Sequence, residues 1–216
     1  MKTSNKLILY FIGALFVYFF AGYTELIIKG EKKTKASLYA QIFRHQTKDK
    51  HLKVIRIEGN KSPIEIYTKN SDNEFISQIH YEHKNEFLAR KYFSQTVQGD
   101  TITLKFTSNS PLDIAKFVIP KGYGIREIIA IDSQIKLHAS LSKELKITLK
   151  NAKATAGIND LYWTSLSIDA VSSSIDFEQS DISTLRYNLA DATLNLKASD
   201  IKSEKGTLDN TSKLFW

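Results

Sequence analysis

The sequence predicts an all-β protein: a single-stranded, right-handed β-solenoid-like stack of short strands, preceded by one N-terminal transmembrane helix. Three observations carry that expectation. Four successive nineteen-residue blocks, 128–146, 147–165, 166–184 and 185–203, hold matching residue types in register. Apolar residues alternate with polar ones inside each block, and a fixed period near 20 built from such alternation marks stacked β-coils. An uncharged apolar run occupies the N-terminus.

The first position of each block is Ile128, Ile147, Leu166 and Leu185, which the period places in one column. The sixth is Ser133, Ala152, Val171 and Ala190, all small or β-branched, and the ninth and tenth positions align Thr155-Ala156, Ser174-Ile175 and Thr193-Leu194. Ser180-Asp181-Ile182 returns unchanged as Ser199-Asp200-Ile201. Each coil would be a strand-bearing turn that cannot bury its inner face alone. A sandwich of antiparallel strands spaced by 8–12 residues is the competing architecture.

The chain divides into a short tail (1–6), a signal-anchor helix (7–28), a basic juxtamembrane linker (29–50) and a domain (51–216). Residues 7–24 carry no charge, and eighteen helical residues rise roughly 27 Å, close to the hydrocarbon thickness of a bilayer. A cleaved signal has a shorter apolar core and a small-x-small site. Here Ala21-Gly22 is preceded by Phe19 and Phe20, so an uncleaved anchor fits better. Lys2 and Lys6 on one side nearly balance Lys29, Lys32, Lys33 and Lys35 on the other. Because long following domains translocate largely regardless of charge, the domain is expected outside the cytoplasm. The four lysines are candidates for contact with anionic headgroups.

Leu38, Tyr39, Ile42 and Phe43 have helical spacing, consistent with a short amphipathic helix or with one apolar turn in a solvated linker. Strand signals begin with LKVIRIEG at Leu52 and continue with PIEIYTK at Pro63, EFISQIHYEH at Glu74 and TITLKF at Thr101. Asn60-Lys61-Ser62-Pro63 and Gln98-Gly99-Asp100 read as turns. Over 82–93 a helix competes with a strand.

A strand pair is followed by Gln98-Gly99-Asp100-Thr101-Ile102, then by Val118-Ile119-Pro120, then by short alternating rows with small residues. In that order residues 50–216 resemble the GIN-type auto-transporter adhesin head domains and related adhesin-like domains of bacterial envelopes. The resemblance implies a β-solenoid-like module at the cell surface or in the periplasm, and it implies no catalytic residues. Gly157 and Gly206 are the only glycines after Gly124, where relatives are often glycine-rich.

The net charge of +7 is local: nine basic residues and two acidic ones between Lys29 and Arg56 supply all of it. The rest is nearly neutral, without the basic footprint a phosphate backbone requires, so nucleic acid is not an expected partner. The absence of cysteine excludes disulfides, thiolate metal sites and cysteine nucleophiles. His80-Tyr81-Glu82-His83 followed by Glu86 is the one histidine cluster, but on a strand its two histidines would face opposite ways. His45, His51 and His138 are isolated. Ser172-Ser173-Ser174 lacks the frame of an activated nucleophile. No metal, cofactor or catalytic group is expected.

Asp181 and Asp200 would stack one coil apart, with strands about 4.8 Å apart. They are candidates for cation or glycan contact, against an ordinary turn role in which the carboxylate bonds nearby backbone N–H groups. Trp163 is a candidate for stacking on a sugar, against packing on a loop. Phe215 and Trp216 are expected to fold over the last coil as a cap. Together these readings favour a membrane-anchored, adhesin-like binding or scaffold module without catalysis. It would hold the bilayer through 7–28 and present its domain to an envelope protein or surface glycan. The alternatives are an envelope-stress or regulatory sensor acting through its helix, and a glycan-active enzyme.

Overall fold

The computed structural model describes Leu15, Tyr18 and residues 39–46, 52–59, 62–69, 74–81, 92–107, 112–120, 123–156 and 161–216. The chain forms two compact units, 1–38 and 39–216. In the first, Leu15 and Tyr18 are helical and exposed. The rest of the expected anchor, 7–28, lies outside the described residues, as do Lys29, Lys32, Lys33 and Lys35. Among the described residues no helix is long and apolar enough to cross a membrane.

The second unit is all-β. Its strands are β1 (Tyr39–Gln46), β2 (Val54–Glu58), β3 (Pro63–Lys69), β4 (Glu74–Tyr81), β5 (Phe93–Gln98), β6 (Thr101–Phe106), β7 (Leu112–Pro120), β8 (Glu127–Ile131) and β9 (Gln134–Leu137). They continue with β10 (Glu144–Lys150), β11 (Lys153–Ala156), β12 (Tyr162–Val171), β13 (Ser174–Asp176), β14 (Asp181–Ala190), β15 (Thr193–Asn195), β16 (Asp200–Leu208) and β17 (Lys213–Phe215). One sheet has the order β1-β4-β7-β3-β9-β11-β13-β15-β17; the other runs β16-β14-β12-β10-β8-β2-β6-β5. The first is called sheet A and the second sheet B.

From β8 onward the chain alternates between the sheets, and each strand lies parallel to its counterpart one repeat earlier. Among the described residues antiparallel pairing is confined to the N-terminal part: β1 with β4, β4 with β7, and β5 with β6 across the Gly99-Asp100 turn. Gly59 ends β2 at φ 78°, and a Cβ there would collide with the Phe106 carbonyl oxygen. The segment expected as a linker or amphipathic helix supplies β1 instead. Pairing with β4 satisfies its backbone groups along a strand edge, which local helical spacing does not anticipate.

Alternation in sequence becomes alternation in burial. In β10, Leu145, Ile147 and Leu149 are buried, while Glu144, Lys146 and Lys150 point out. The inward isoleucines form a continuous column, Ile102, Ile55, Ile128, Ile147 and Ile168, each in register with the next. All five are 0% exposed. A second inward column in sheet A joins Ile64, Ile135, Ala154, Ile175, Leu194 and Leu214. Close-packed apolar columns of this kind carry the hydrophobic stabilisation of each repeat against its neighbours.

The spacing is not uniformly nineteen. Ile147 pairs with Ile168, twenty-one residues on, and Leu166 pairs with Leu145 and Leu185. The expected single column of Ile128, Ile147, Leu166 and Leu185 is therefore two: Ile128 with Ile147, and Leu166 with Leu185. In sheet A, Lys153-Ala154 rather than Thr155-Ala156 sits beside Ser174-Ile175. The extra two residues fall in the connection between β11 and β12. A shift of two preserves which residues face inward, so periodicity alone is blind to it.

Four successive passages from sheet B to sheet A, from β8–β9 to β14–β15, turn through a non-glycine residue of positive φ: Asp132 (49°), Asn151 (49°), Ser172 (46°) and Asp191 (51°). Asn and Asp tolerate this left-handed conformation better than other non-glycine residues. The buried small residues following them, Ser133, Ala152, Ser173 and Ala192, form the small-residue column that the sequence placed at Val171 and Ala190 in its third and fourth members. The Ser173 hydroxyl accepts from the Ala152 N–H (3.1 Å) and donates to the Val171 carbonyl (2.6 Å), so it closes the corner internally.

Candidate functional site

The repeated Ser-Asp-Ile tripeptide resolves into three roles. Ile182 and Ile201 are register partners facing inward; Ser180 donates its N–H to the Ser199 hydroxyl (3.1 Å), which donates to the Phe177 carbonyl (3.1 Å). Asp181 and Asp200 are register partners that face solvent, beside Tyr162 in the same column. Stacking of the two carboxylates is thus as the repeat required. Among the described residues no group of three or more His, Cys, Asp or Glu gathers there or elsewhere in a way that could hold a metal ion.

Trp163 is not a surface aromatic. It is 0% exposed, with its ring centroid 5.6 Å from that of Phe177, and its indole N–H has no hydrogen-bond partner among the described residues. It belongs to the inward parity of β12, in register with Ile182, so the expected sugar-stacking role is corrected to core packing.

Phe215 and Trp216 do not fold over the last repeat. They are 42% and 54% exposed, because β17 turns Leu214 inward and Phe215 outward. The interior is covered near that end by Tyr187. Its ring occupies the space that a Cβ on Gly206, its register partner in β16, would require. Only a residue without a side chain leaves room for the ring. The sequence carried this signal in Gly206, one of two glycines in the last ninety-two residues.

Three surface features remain. The column of positive-φ corners lines a groove of about 540 Å³ together with Gln134, Lys153 and Ser174. Within it Asn151 Nδ2 donates to Asp132 Oδ1 (2.7 Å) and Ser172 Oγ to Asp191 Oδ2 (3.2 Å), so neighbouring repeats largely satisfy one another. At its C-terminal end Asp209 accepts from the Asp191 N–H, from the N–H groups of Thr211 and Ser212, and from both their hydroxyls. The Ser212 hydroxyl bond leads the causes that hold its carboxyl down at about 2.

The second feature is on the outer face of sheet A. Tyr67 and His138 stack, with centroids 4.2 Å apart and planes 10° apart, and the Tyr67 hydroxyl donates to Glu65 (2.7 Å). His138 Nε2 stands 3.7 Å from Glu65 Oε1, too long for a hydrogen bond. Burial lowers the His138 pKa and Glu65 offsets part of that. Burial, then Glu65, pushes the Tyr67 phenol up to about 12. Burial works to raise the Glu65 carboxyl, but Tyr67, His138, Lys116 and Lys136 together bring it below its ordinary value. His138, isolated in sequence, acquires these neighbours only when β3 and β9 pair.

The third is the outer face of sheet B, where Glu127, Lys146, Ser167, Arg186 and Lys205 succeed one another in register. Lys146 is neutralised on both sides, 3.5 Å from Glu127 and 3.2 Å from Asp169, and the Asp169 bond leads the causes that raise its pKa. Arg186 and Lys205 are exposed and form no hydrogen bond or ion pair within the described residues. A hollow of about 380 Å³ lies over them, lined also by Ser167, Asp169, Tyr187 and Asn188.

No family model and no curated protein matches the chain. Among solved structures it is similar to a Bacteroides fragilis NCTC 9343 protein provisionally named an adhesin, at 11% identity and a TM-score of 0.42, over 82% of this chain and 96% of that one. A Parabacteroides distasonis ATCC 8503 protein provisionally named lipid-binding is similar at 12% identity and 0.40, over 82% and 93%. Another from the same organism, provisionally named an adhesin, is similar at 10% identity and 0.40, over 83% and 98%. At that level of identity and superposition the likeness extends to neither family nor function.

Proposed function

We propose that residues 39–216 form a rigid β-solenoid that works as a non-catalytic, adhesin-like binding module, held to a membrane by 7–28 and displayed outside the cytoplasm. The observation supporting this most directly is the register itself. From β8 to β16 each outward side chain lies one strand separation, about 4.8 Å, from its counterpart in the next repeat. Such a face is preorganised, so a partner meets it with little loss of conformational entropy. The charge-free run in 7–24 and the lysines beyond it support the tether. An envelope protein or a surface glycan is the partner class that an extended polar face of this kind suits.

The topology is tested by replacing Asp200 with cysteine in a chain that has none. Asp200 is exposed, so a membrane-impermeant maleimide applied to intact cells should label the variant without lysis. Labelling only after lysis would refute the extracytoplasmic module.

A further inference from the structure

We propose that Arg186 and Lys205, with Ser167 and Asn188, form a binding site for the carboxylate of an acidic, hydroxyl-rich glycan. Arg186 and Lys205 are register partners in adjacent parallel strands, and Ser167 is the partner of Arg186 on its other side. Like charges placed directly opposite one another disfavour the sheet. Elsewhere in the same row this fold neutralises the cation: Lys146 has Glu127 and Asp169 within 3.5 Å. Arg186 and Lys205 have no such relief. Glu204, next in sequence, belongs to the opposite parity, in register with the inward Leu185.

The two cations open into a hollow rather than onto a flat strand, of about 380 Å³, a volume suited to one or two sugar rings. Its lining matches that ligand group by group. The Arg186 guanidinium presents a planar fork that a carboxylate can engage with both oxygens, and Lys205 adds a point charge. The Ser167 hydroxyl and the Asn188 amide N–H groups, the Asn188 oxygen already accepting from Thr207, offer partners for neutral ring hydroxyls. Asp169 also lines the hollow, but it is engaged by Lys146 at 3.2 Å and does not oppose an incoming anion alone. Several neutral hydrogen-bonding groups around a pair of cations favour a uronate-type sugar over a phosphate headgroup, which would use the charges and leave those groups idle.

This proposal rests on the reading of the domain as a displayed binder, and its failure is separable from that reading's. The full-length, detergent-solubilised protein is titrated calorimetrically with a short oligogalacturonate, its methyl-esterified counterpart, inorganic phosphate, and phosphatidylglycerol or phosphatidylcholine vesicles. Oligogalacturonate should bind and weaken as salt rises, and methyl esterification should cost about tenfold or more in affinity. Arg186→Gln and Lys205→Gln should each weaken it about tenfold, with Lys150→Gln, an exposed lysine outside the hollow, unchanged. Absent oligogalacturonate binding, indifference to the two substitutions, equal affinity for the esterified oligomer, or preferential binding of phosphate or phosphatidylglycerol vesicles would each overturn the proposal. External labelling of the Asp200→Cys protein combined with any of these results would remove the glycan site alone and leave the displayed module standing.

Discussion

Replacing Trp163 separates two effects that the structure assigns to one side chain. The indole is wholly buried against Phe177, and its N–H lies in the core without an acceptor among the described residues. Trp163→Ala removes the ring and leaves a cavity between two sheets whose columns are fixed by pairing on both sides, so little collapse is available. Truncations of this kind cost about 3–5 kcal/mol. Trp163→Phe behaves differently. It deletes two ring carbons, a loss of about 1.6 kcal/mol at roughly 0.8 kcal/mol for each methylene-sized group. It also deletes the unsatisfied donor, whose burial costs about 1–3 kcal/mol. The two terms nearly cancel, and the phenylalanine variant should lie within about 1 kcal/mol of the parent. Urea unfolding of the detergent-solubilised protein, followed by circular dichroism so that loss of the indole does not confuse the signal, measures both. A Trp163→Phe penalty as large as that of Trp163→Ala would show that the indole N–H is satisfied. A Trp163→Ala penalty below about 1 kcal/mol would show that the residue is not in the core at all.

Cysteine pairs test the register: Lys146→Cys with Ser167→Cys places the two in register, one strand apart, and should oxidise readily, as seen by a mobility shift. Thr148→Cys with Ser167→Cys, the pair a uniform period of nineteen would bring together, lies about 8 Å apart and should not; the reverse outcome would restore the uniform period. Gly206→Ala should destabilise the fold by about 1–3 kcal/mol because its methyl meets the Tyr187 ring, and that penalty should shrink in a Tyr187→Ala background. Additive effects in that cycle would dissociate the two residues. Asp209 has a folded pKa of about 2 against an ordinary 3.8, so its contribution to stability is present above the higher value and is lost as pH falls through the lower. Acid unfolding of Asp209→Asn should therefore show a shallower stability loss over that window than the parent; identical slopes would count against the clamp.

Alternation within short rows reported reliably on what faces inward. Ile147, Ile168, Leu185 and Leu194 are all buried as their parity required, and the repeated Ser180-Asp181-Ile182 did stack on its second copy. Where local spacing was ambiguous it misled: Leu38, Tyr39, Ile42 and Phe43 have the intervals of a helix turn, yet Tyr39–Gln46 is a strand because β4 offers it a partner. Trp163 and Phe215 show the limit for single aromatics. Both are large and apolar, and composition does not say that one falls on an inward position and the other on an outward one near an open edge. The Tyr67, His138 and Glu65 cluster was out of reach for another reason, since residues 65 and 138 meet only through a pairing between distant strands.

By itself the chain determined most of the repeat strands from β8 onward, their alternation of inward and outward residues and its charge distribution, because these follow from neighbours two residues apart and from simple counts. Only the tertiary structure decided which strand lies beside which, where two extra residues are absorbed, and which cations are left without counterions. A parallel ladder can slip by two residues without turning any side chain over. The choice among such registers rests on contacts between repeats, and the juxtaposition of Ser167, Arg186 and Lys205 follows from the one that was chosen.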